Sequence, residues 1–265
     1  MHPTLFEIPI RVFGRNIGVH SYGFFIAVGF VLGVYLAMRE ARKTGEDPEK
    51  ILDVSFWLLV AGLVGSRVVF IVVNWRDYLR DPLGLLRLWE GGLVWYGAFL
   101  GALLAAWLYV RRHRLRFLRI ADILIPSVPL GHAFGRLGCF SAGCCWGREC
   151  AADFALAVRF EHPDTLAPHH VPLHPVQLYE ALGETAIFFA LILVRSKKRF
   201  DGQVVLMYMT LYPIIRSVVE AFRGDKARGF LVEGVLSTSQ FISMLVFVAA
   251  LAAQVVITRR RVRSS

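Results

Sequence analysis

The sequence predicts an all-α protein: a multi-pass membrane helix bundle of about seven transmembrane helices, with the N-terminus outside and the C-terminus cytoplasmic. Three observations predict it. Of the 265 residues 56% are hydrophobic, and the mean hydropathy is +0.53; a soluble domain of ordinary makeup is excluded. Seven mainly apolar runs of 19 to 25 residues follow one another along the chain, and about 20 helical residues cross a hydrocarbon core of about 30 Å. Lysine and arginine are unevenly placed: seventeen lie in the loops after spans 1, 3 and 5 and in the tail, ten in the alternate set. Positive charge collects in cytoplasmic loops. The net charge of +10 therefore belongs to membrane topology, and no nucleic-acid partner is expected.

Residues 1–18 alternate Phe6, Ile8, Ile10 and Val12 with more polar neighbours, as an arm lying at the membrane surface would. No small-residue cleavage site follows the first apolar run, so residues 19–38 are expected to be retained as span 1. It opens on His20, Ser21 and Tyr22. Span 2, residues 51–74, is interrupted by Arg67. Residues 75–91 form a loop whose LGLLRLW segment suits a short amphipathic helix at the interface. Span 3, residues 92–110, opens with Trp95 and Tyr96. Span 4, residues 120–142, is less apolar and is broken by Pro126 and Pro129, which a membrane tolerates where the freed backbone lines protein or a cavity.

Residues 147–175 make the longest hydrophilic connection, with four prolines and the histidines 162, 169, 170 and 174; a connection of that length suits a lid over a site. Spans 5, 6 and 7, at 176–194, 202–222 and 234–258, complete one integral membrane domain over 1–265, and the chain ends in the basic run RRRVR. No internal repeat is visible, which argues against a transporter built from inverted repeats.

Chemistry concentrates at residues 131–147, GHAFGRLGCFSAGCCWG. An arginine at membrane depth costs roughly 2.5 to 3.5 kcal/mol on insertion scales and is functional by default. Arg136 is therefore read as gripping the phosphate of a lipid head group in a buried cavity, the bland alternative being a snorkelling or packing ion pair. Glycines 131, 135, 138, 143 and 147 let backbone amides approach a ligand. His132 lies four residues before Arg136 and shares its helix face, as a cavity neighbour or a packing histidine. On span 6 Arg216, Glu220 and Arg223 share a face at spacings of four and three: an ion-pair ladder, or a carboxylate that orients Arg223 for a phosphate oxygen. The sequence HPVQLYE starts span 5, with Pro175 suited to the first helical position, and puts Gln177 and Glu180 on one face, with Glu184 a turn further. Tyr179 suits an interface anchor. The four cysteines, Cys139, Cys144, Cys145 and Cys150, read C-x4-C-C-x4-C and lack the C-x2-C pair of common zinc sites. Small-residue packing, a disulfide using Cys150 and an activated thiol stay open; no metal and no cofactor are expected.

These motifs in this order resemble the prolipoprotein diacylglyceryl transferase family: VHSYG, WEGGLVWYGAFLGA, GHAFGRLGCFSAGCCWG, HPVQLYE, VVEAFRGD and STSQ, spread from Val19 to Gln240. The resemblance implies an enzyme of the bacterial cytoplasmic (inner) membrane. It would move the diacylglyceryl group of phosphatidylglycerol onto the lipobox cysteine of a prolipoprotein, form a thioether and release glycerol phosphate. The family's essential arginines match Arg136 and Arg223, its membrane-facing tyrosine Tyr22, its second-span arginine Arg67 and its signature glycine Gly147. The remaining motif positions match Gln177, Glu180, Glu220 and Gln240, with His20 beside Tyr22.

Four positions depart from the family pattern. Tyr96 stands where the best-known members have histidine, Cys139 and Ala142 replace asparagines, and Cys144 replaces a glutamate. Phosphate binding is untouched by these changes; base catalysis is not. A phenol near pKa 10 is a poor base unless an arginine lowers it, and His20, His132 or the lipid phosphate are the other acceptors. A non-catalytic lipid-binding paralogue and a lipid or solute transporter are the alternative readings.

Overall fold

The structure, a computed structural model, describes residues 4–12, 15–78, 84, 92–224, 230–232 and 236–264. In chain order the elements are β1 (Thr4–Val12), β2 (Arg15–His20), α1 (Ser21–Thr44), α2 (Pro48–Val73), α3 (Trp75–Tyr78), α4 (Trp95–Arg112), α5 (Phe117–Leu124) and α6 (Ser127–Ala142). Then follow α7 (Val176–Ser196), α8 (Gln203–Glu220), β3 (Phe230–Val232), β4 (Leu236–Ser237) and α9 (Thr238–Ser264). Among the described residues, five helical stretches are long and apolar enough to cross a membrane: Ser21–Thr44, Pro48–Val73, Phe117–Ala142, Val176–Ser196 and Thr238–Ile257. The chain is a multi-pass membrane protein.

Local chemistry explains where the helices begin and end. Asp47 caps α2, its side chain accepting from the Glu49 amide at 2.9 Å, with Pro48 in the first turn. Arg42 and Lys43 close α1, Arg111 and Arg112 close α4, and Arg195 closes α7, each placing a cation at the negative end of a helix dipole. Pro126 separates α5 from α6, and Gly143 in the left-handed region, φ 71°, ends α6. At the start of α9, Ser237 and Gln240 form a reciprocal capping box: each amide bonds the other's side-chain oxygen at 3.1 Å.

The chain divides into two compact units, residues 37–123 and residues 1–36 with 124–265. In the former, α2 packs on α4 through Gly65, Gly97 and Gly101. A β-carbon on Gly97 would overlap the Gly65 carbonyl oxygen, so only small residues let these backbones approach. In the other unit α6 packs on α7, α7 on α8 and α8 on α9. On α7, Leu182 and Leu193 are 73% and 71% exposed, whereas Gln177, Glu180 and Glu184 are 1%, 1% and 0% exposed. Apolar side chains outward and carboxylates inward is the arrangement of a helix whose solvent is lipid. Residues 143–175 carry their own small core, Phe160, Ala167 and Leu173 packed against Phe140 and Trp146.

Four differences from the sequence reading stand out. Residues 4–12 pair antiparallel with 15–20 as a β-ribbon; the alternation at Phe6, Ile8, Ile10 and Val12 is the period-two signature of a strand. Helix α4 begins at Trp95, three residues after the expected start, because Gly92 has a positive φ of 79°. Helix α7 begins at Val176, one residue past Pro175, whose carbonyl accepts from Leu178 and Tyr179 at 2.9 and 3.2 Å. Helix α8 ends at Glu220, two residues short of expectation, so Arg223 does not continue the helical face of Arg216 and Glu220. The amides of Ala221, Phe222 and Arg223 donate to carbonyls three residues back, at 3.2, 3.0 and 3.3 Å, the tightened turn on which helices commonly finish. The amphipathic segment expected at 83–89 lies, Gly84 apart, outside the described residues.

Candidate active site

Helices α6 and α7 run side by side and supply the centre of the site. Arg136 and His132 are one turn apart on α6, as are Glu180 and Glu184 on α7. The four side chains interlock. Arg136 Nη2 meets Glu180 Oε1 at 3.0 Å, and Arg136 Nε donates to His132 Nε2 at 3.2 Å. That acceptor role leaves the imidazole proton on Nδ1, which is 2.7 Å from Glu184 Oε1. The contact has ion-pair distance without hydrogen-bond alignment, and neither Glu184 oxygen has an aligned donor among the described residues. A buried charge needs an opposite charge and good geometry to be tolerated; Glu180 provides both for Arg136. Two edges of the guanidinium fork are thereby used, and Nη1 has no hydrogen-bond partner among the described residues.

The segment after α6 brings in a second arginine. Residues 146–148 pair antiparallel with 222–224: Gly147 bridges Arg223, the Arg148 amide donates to the Phe222 carbonyl at 2.8 Å, and the Gly224 amide donates to the Trp146 carbonyl at 3.1 Å. The crossing demands glycine. A β-carbon at Gly147 would overlap the His174 carbonyl oxygen, and one at Gly224 would come within 2.6 Å of the Gly147 carbonyl oxygen. Arg223 is held where its charge acts on Arg136, and both guanidiniums act on Cys145.

Other predicted residues gather nearby. Gln177, at the start of α7, donates from Nε2 to the Cys144 carbonyl at 2.8 Å, tying α7 to the turn that follows α6. Tyr22, in the first turn of α1, lies against α6: a β-carbon on Gly138 would sit 3.1 Å from the Tyr22 Cα. His20 closes β2 just before α1 and is exposed. Outside the membrane-spanning helices, burial and then Arg148 lower the pKa of His174, favouring the neutral ring that stands 3.3 Å from the Tyr179 hydroxyl. Hydrogen bonds from Cys139 and Cys144, then the positive field of Arg136 and Arg223, push the Cys145 thiol down.

Four predicted residues have other immediate surroundings. Glu220 pairs with Arg216 at 2.7 Å, and Arg216 Nε donates to Ser239 Oγ at 2.9 Å, joining α8 to α9. Gln240 is engaged in the α9 capping box. Arg67 and Tyr96 belong to the other compact unit. There the Arg67 guanidinium bonds the carbonyls of Gly84 and Gly92 at 2.6 and 3.3 Å and lies over the rings of Phe70 and Tyr78. Tyr96 is 56% exposed at the first turn of α4, edge-on to Trp95. Two partners escaped the sequence reading. Gly224 follows Arg223 directly and does for it what Gly147 does opposite, and Ser239 anchors Arg216.

The model of the prolipoprotein diacylglyceryl transferase family matches residues 9–256. The chain belongs to this family. Among curated relatives it is similar to the phosphatidylglycerol–prolipoprotein diacylglyceryl transferase 2 of Clostridium perfringens, 32% identical over 241 residues that cover 91% of each chain. The phosphatidylglycerol–prolipoprotein diacylglyceryl transferase of Clostridium tetani is 33% identical over 248 residues, 94% of each chain. One from Legionella pneumophila (strain Corby) is 33% identical over 241 residues, 89% of this chain and 91% of the relative. The family match runs through both compact units, including Arg67 and Tyr96 as well as Arg136 and Arg223.

Proposed function

We propose that the chain transfers the diacylglyceryl group of phosphatidylglycerol to the lipobox cysteine thiol of a prolipoprotein, in the bacterial cytoplasmic membrane. Spans at α1, α2, α4, α5 with α6, α7, α8 and α9 make seven crossings, with the N-terminus outside and the tail cytoplasmic, supported by the asymmetry of lysine and arginine. The eighteen-residue helices α4 and α8 reach about 27 Å, nearly the thickness of the hydrocarbon core. Residues 147–175 then lie outside, as a lid over the site.

The single observation that carries the proposal is that two arginines from separate parts of the chain lie within each other's field: Arg136, held by Glu180 and His132, and Arg223, bridged through its backbone to Gly147. In the reaction the thiol sulfur attacks the glycerol carbon that bears the phosphoester. A C–S bond forms, the C–O bond breaks, and the electron pair leaves on the phosphate of glycerol phosphate. Negative charge therefore grows where Arg136 Nη1 and the Arg223 guanidinium are proposed to wait as fixed donors in a site of low dielectric. Gln177 and Tyr22 shape the same cavity from α7 and α1. Glu220 and Gln240 support it through the helix ends they hold, and His20 lines its outer mouth; Arg67 acts within its own unit, on the loop carbonyls of Gly84 and Gly92.

The purified protein, phosphatidylglycerol vesicles and a lipobox peptide are expected to yield a peptide heavier by one diacylglyceryl group, attached at the cysteine. Peptide of unchanged mass, with lipid bound or moved across the vesicle, would refute transfer in favour of a binding protein or a transporter. The same assay on Tyr96→Phe, which deletes only a hydroxyl, decides whether that phenol takes the thiol proton. Abolished transfer would keep Tyr96 in the proton path; retained transfer removes it.

A further inference from the structure

Three cysteines of the signature segment converge, and two of them, Cys139 and Cys144, stand where this chain departs from the family pattern. The Sγ atoms of Cys139, Cys144 and Cys145 all lie within 4.8 Å of one another, although the linear spacing C-x4-C-C hides any resemblance to a zinc motif. The fold brings them together in two steps. Gly143 turns the chain back at the end of α6, so that the Cys144 amide donates to the Cys139 carbonyl at 3.1 Å. Cys145 then adopts a left-handed φ of 58°, a conformation a side chain with a β-carbon rarely takes without compensation. Cys150 is not part of the triangle; its amide bonds the Pro172 carbonyl at 3.0 Å.

Packing alone does not ask for three sulfurs gathered within 4.8 Å, and a disulfide would use two and strand the third. A thiophilic cation uses all of them. Zinc bound by thiolate at about 2.3 Å in tetrahedral geometry holds its sulfurs about 3.8 Å apart, within reach of side-chain rotation from the separations found. Three thiolates and one zinc carry one net negative charge, and the cations whose field reaches this turn are Arg136 and Arg223. The turn is also braced from behind as ligand shells are. Gln177, 1% exposed, holds the Cys144 carbonyl through Nε2 at 2.8 Å, and its Oε1 is buried without a partner among the described residues.

We propose that Cys139, Cys144 and Cys145 form a zinc site with an open fourth position that receives the incoming substrate thiol. Three protein ligands and one vacancy are the format of catalytic rather than structural zinc. On coordination the substrate thiol gives its proton to solvent and is held as thiolate. Its sulfur then forms the C–S bond as the phosphate departs with the C–O electron pair, and the thioether product, a poor ligand, leaves. This role for the site rests on the transferase reading. It supplies thiol activation where Tyr96 has replaced the family's histidine, and with it Tyr96→Phe is expected to retain transfer.

The test uses the full chain, purified in detergent with zinc supplied and desalted, and scores metal by elemental analysis. One zinc per chain is expected for the unaltered protein and for Cys150→Ser. Cys144→Ser and Cys145→Ser should lose it, along with the sulfur-to-cobalt charge-transfer band of the cobalt-substituted protein, while still unfolding cooperatively. Absence of metal, metal that survives Cys145→Ser, or an intact mass lighter by two hydrogens from a disulfide would overturn the site. Chelation should lower transfer to the lipobox peptide about tenfold or more at neutral pH, where a free thiol is only a few per cent ionised, and zinc should restore it. Transfer that survives complete zinc removal would sink the activating role and leave the transferase reading intact. Stoichiometric zinc with no transfer in any sample would do the reverse.

Discussion

Replacing Arg136 with alanine is expected to lower the rate of diacylglyceryl transfer by about a hundredfold or more, the usual loss when one preorganised donor to a developing oxyanion is removed. The reasoning starts from position. Arg136 lies in an apolar stretch on α6, its Nε and Nη2 fixed by His132 and Glu180 at 3.2 and 3.0 Å, and Nη1, without a hydrogen-bond partner among the described residues, is the nitrogen proposed to hold a phosphate oxygen. Lysine should not rescue the loss, because an ammonium cannot hold His132 and Glu180 and still present a donor in the planar fork. Initial rates of adduct formation on phosphatidylglycerol vesicles give the comparison. A loss under tenfold for alanine, or full rescue by lysine, would remove Arg136 from the reacting centre.

Glu180→Leu should harm the fold as well as the reaction. Glu180 is 1% exposed and faces Arg136; deleting one partner of a buried pair typically costs about 3–5 kcal/mol, because the other charge stays behind uncompensated. Equilibrium unfolding in mixed micelles should register the loss. The double variant Arg136→Met, Glu180→Leu separates the two effects. With both charges gone stability should largely return, since an apolar pair of similar volume is often no worse than a buried ion pair, while transfer stays lost. If Glu180→Leu alone is as stable as the unaltered protein, the pair is not buried as described.

Much of this site was legible because it is local. His132 and Arg136, like Glu180 and Glu184, sit at helical spacing within single helices, and charged residues in apolar runs announce themselves. The capping box at α9 is equally local, Ser237 and Gln240 standing three residues apart. What no local pattern gave was contact across long stretches of chain. The Gly147–Arg223 bridge joins segments 76 residues apart, and Arg67 meets the Gly92 carbonyl 25 residues away. Arg223 was misread as part of a helical face because α8 stops at Glu220 and nothing in EAFRG marks the end. The cysteine triangle was hidden in the same way: a left-handed residue at Cys145 folds into proximity what the spacing holds apart.

The central claim is that Arg136 and Arg223 act on one phosphate, and a double-mutant cycle tests it most directly. Single-turnover transfer would be measured for the unaltered chain, Arg136→Ala, Arg223→Ala and the pair. Two donors sharing one leaving group should be coupled, with the combined loss departing from the product of the single losses by about 0.5–3 kcal/mol. Single losses that multiply independently, or a double variant that transfers at the unaltered rate, would contradict the account.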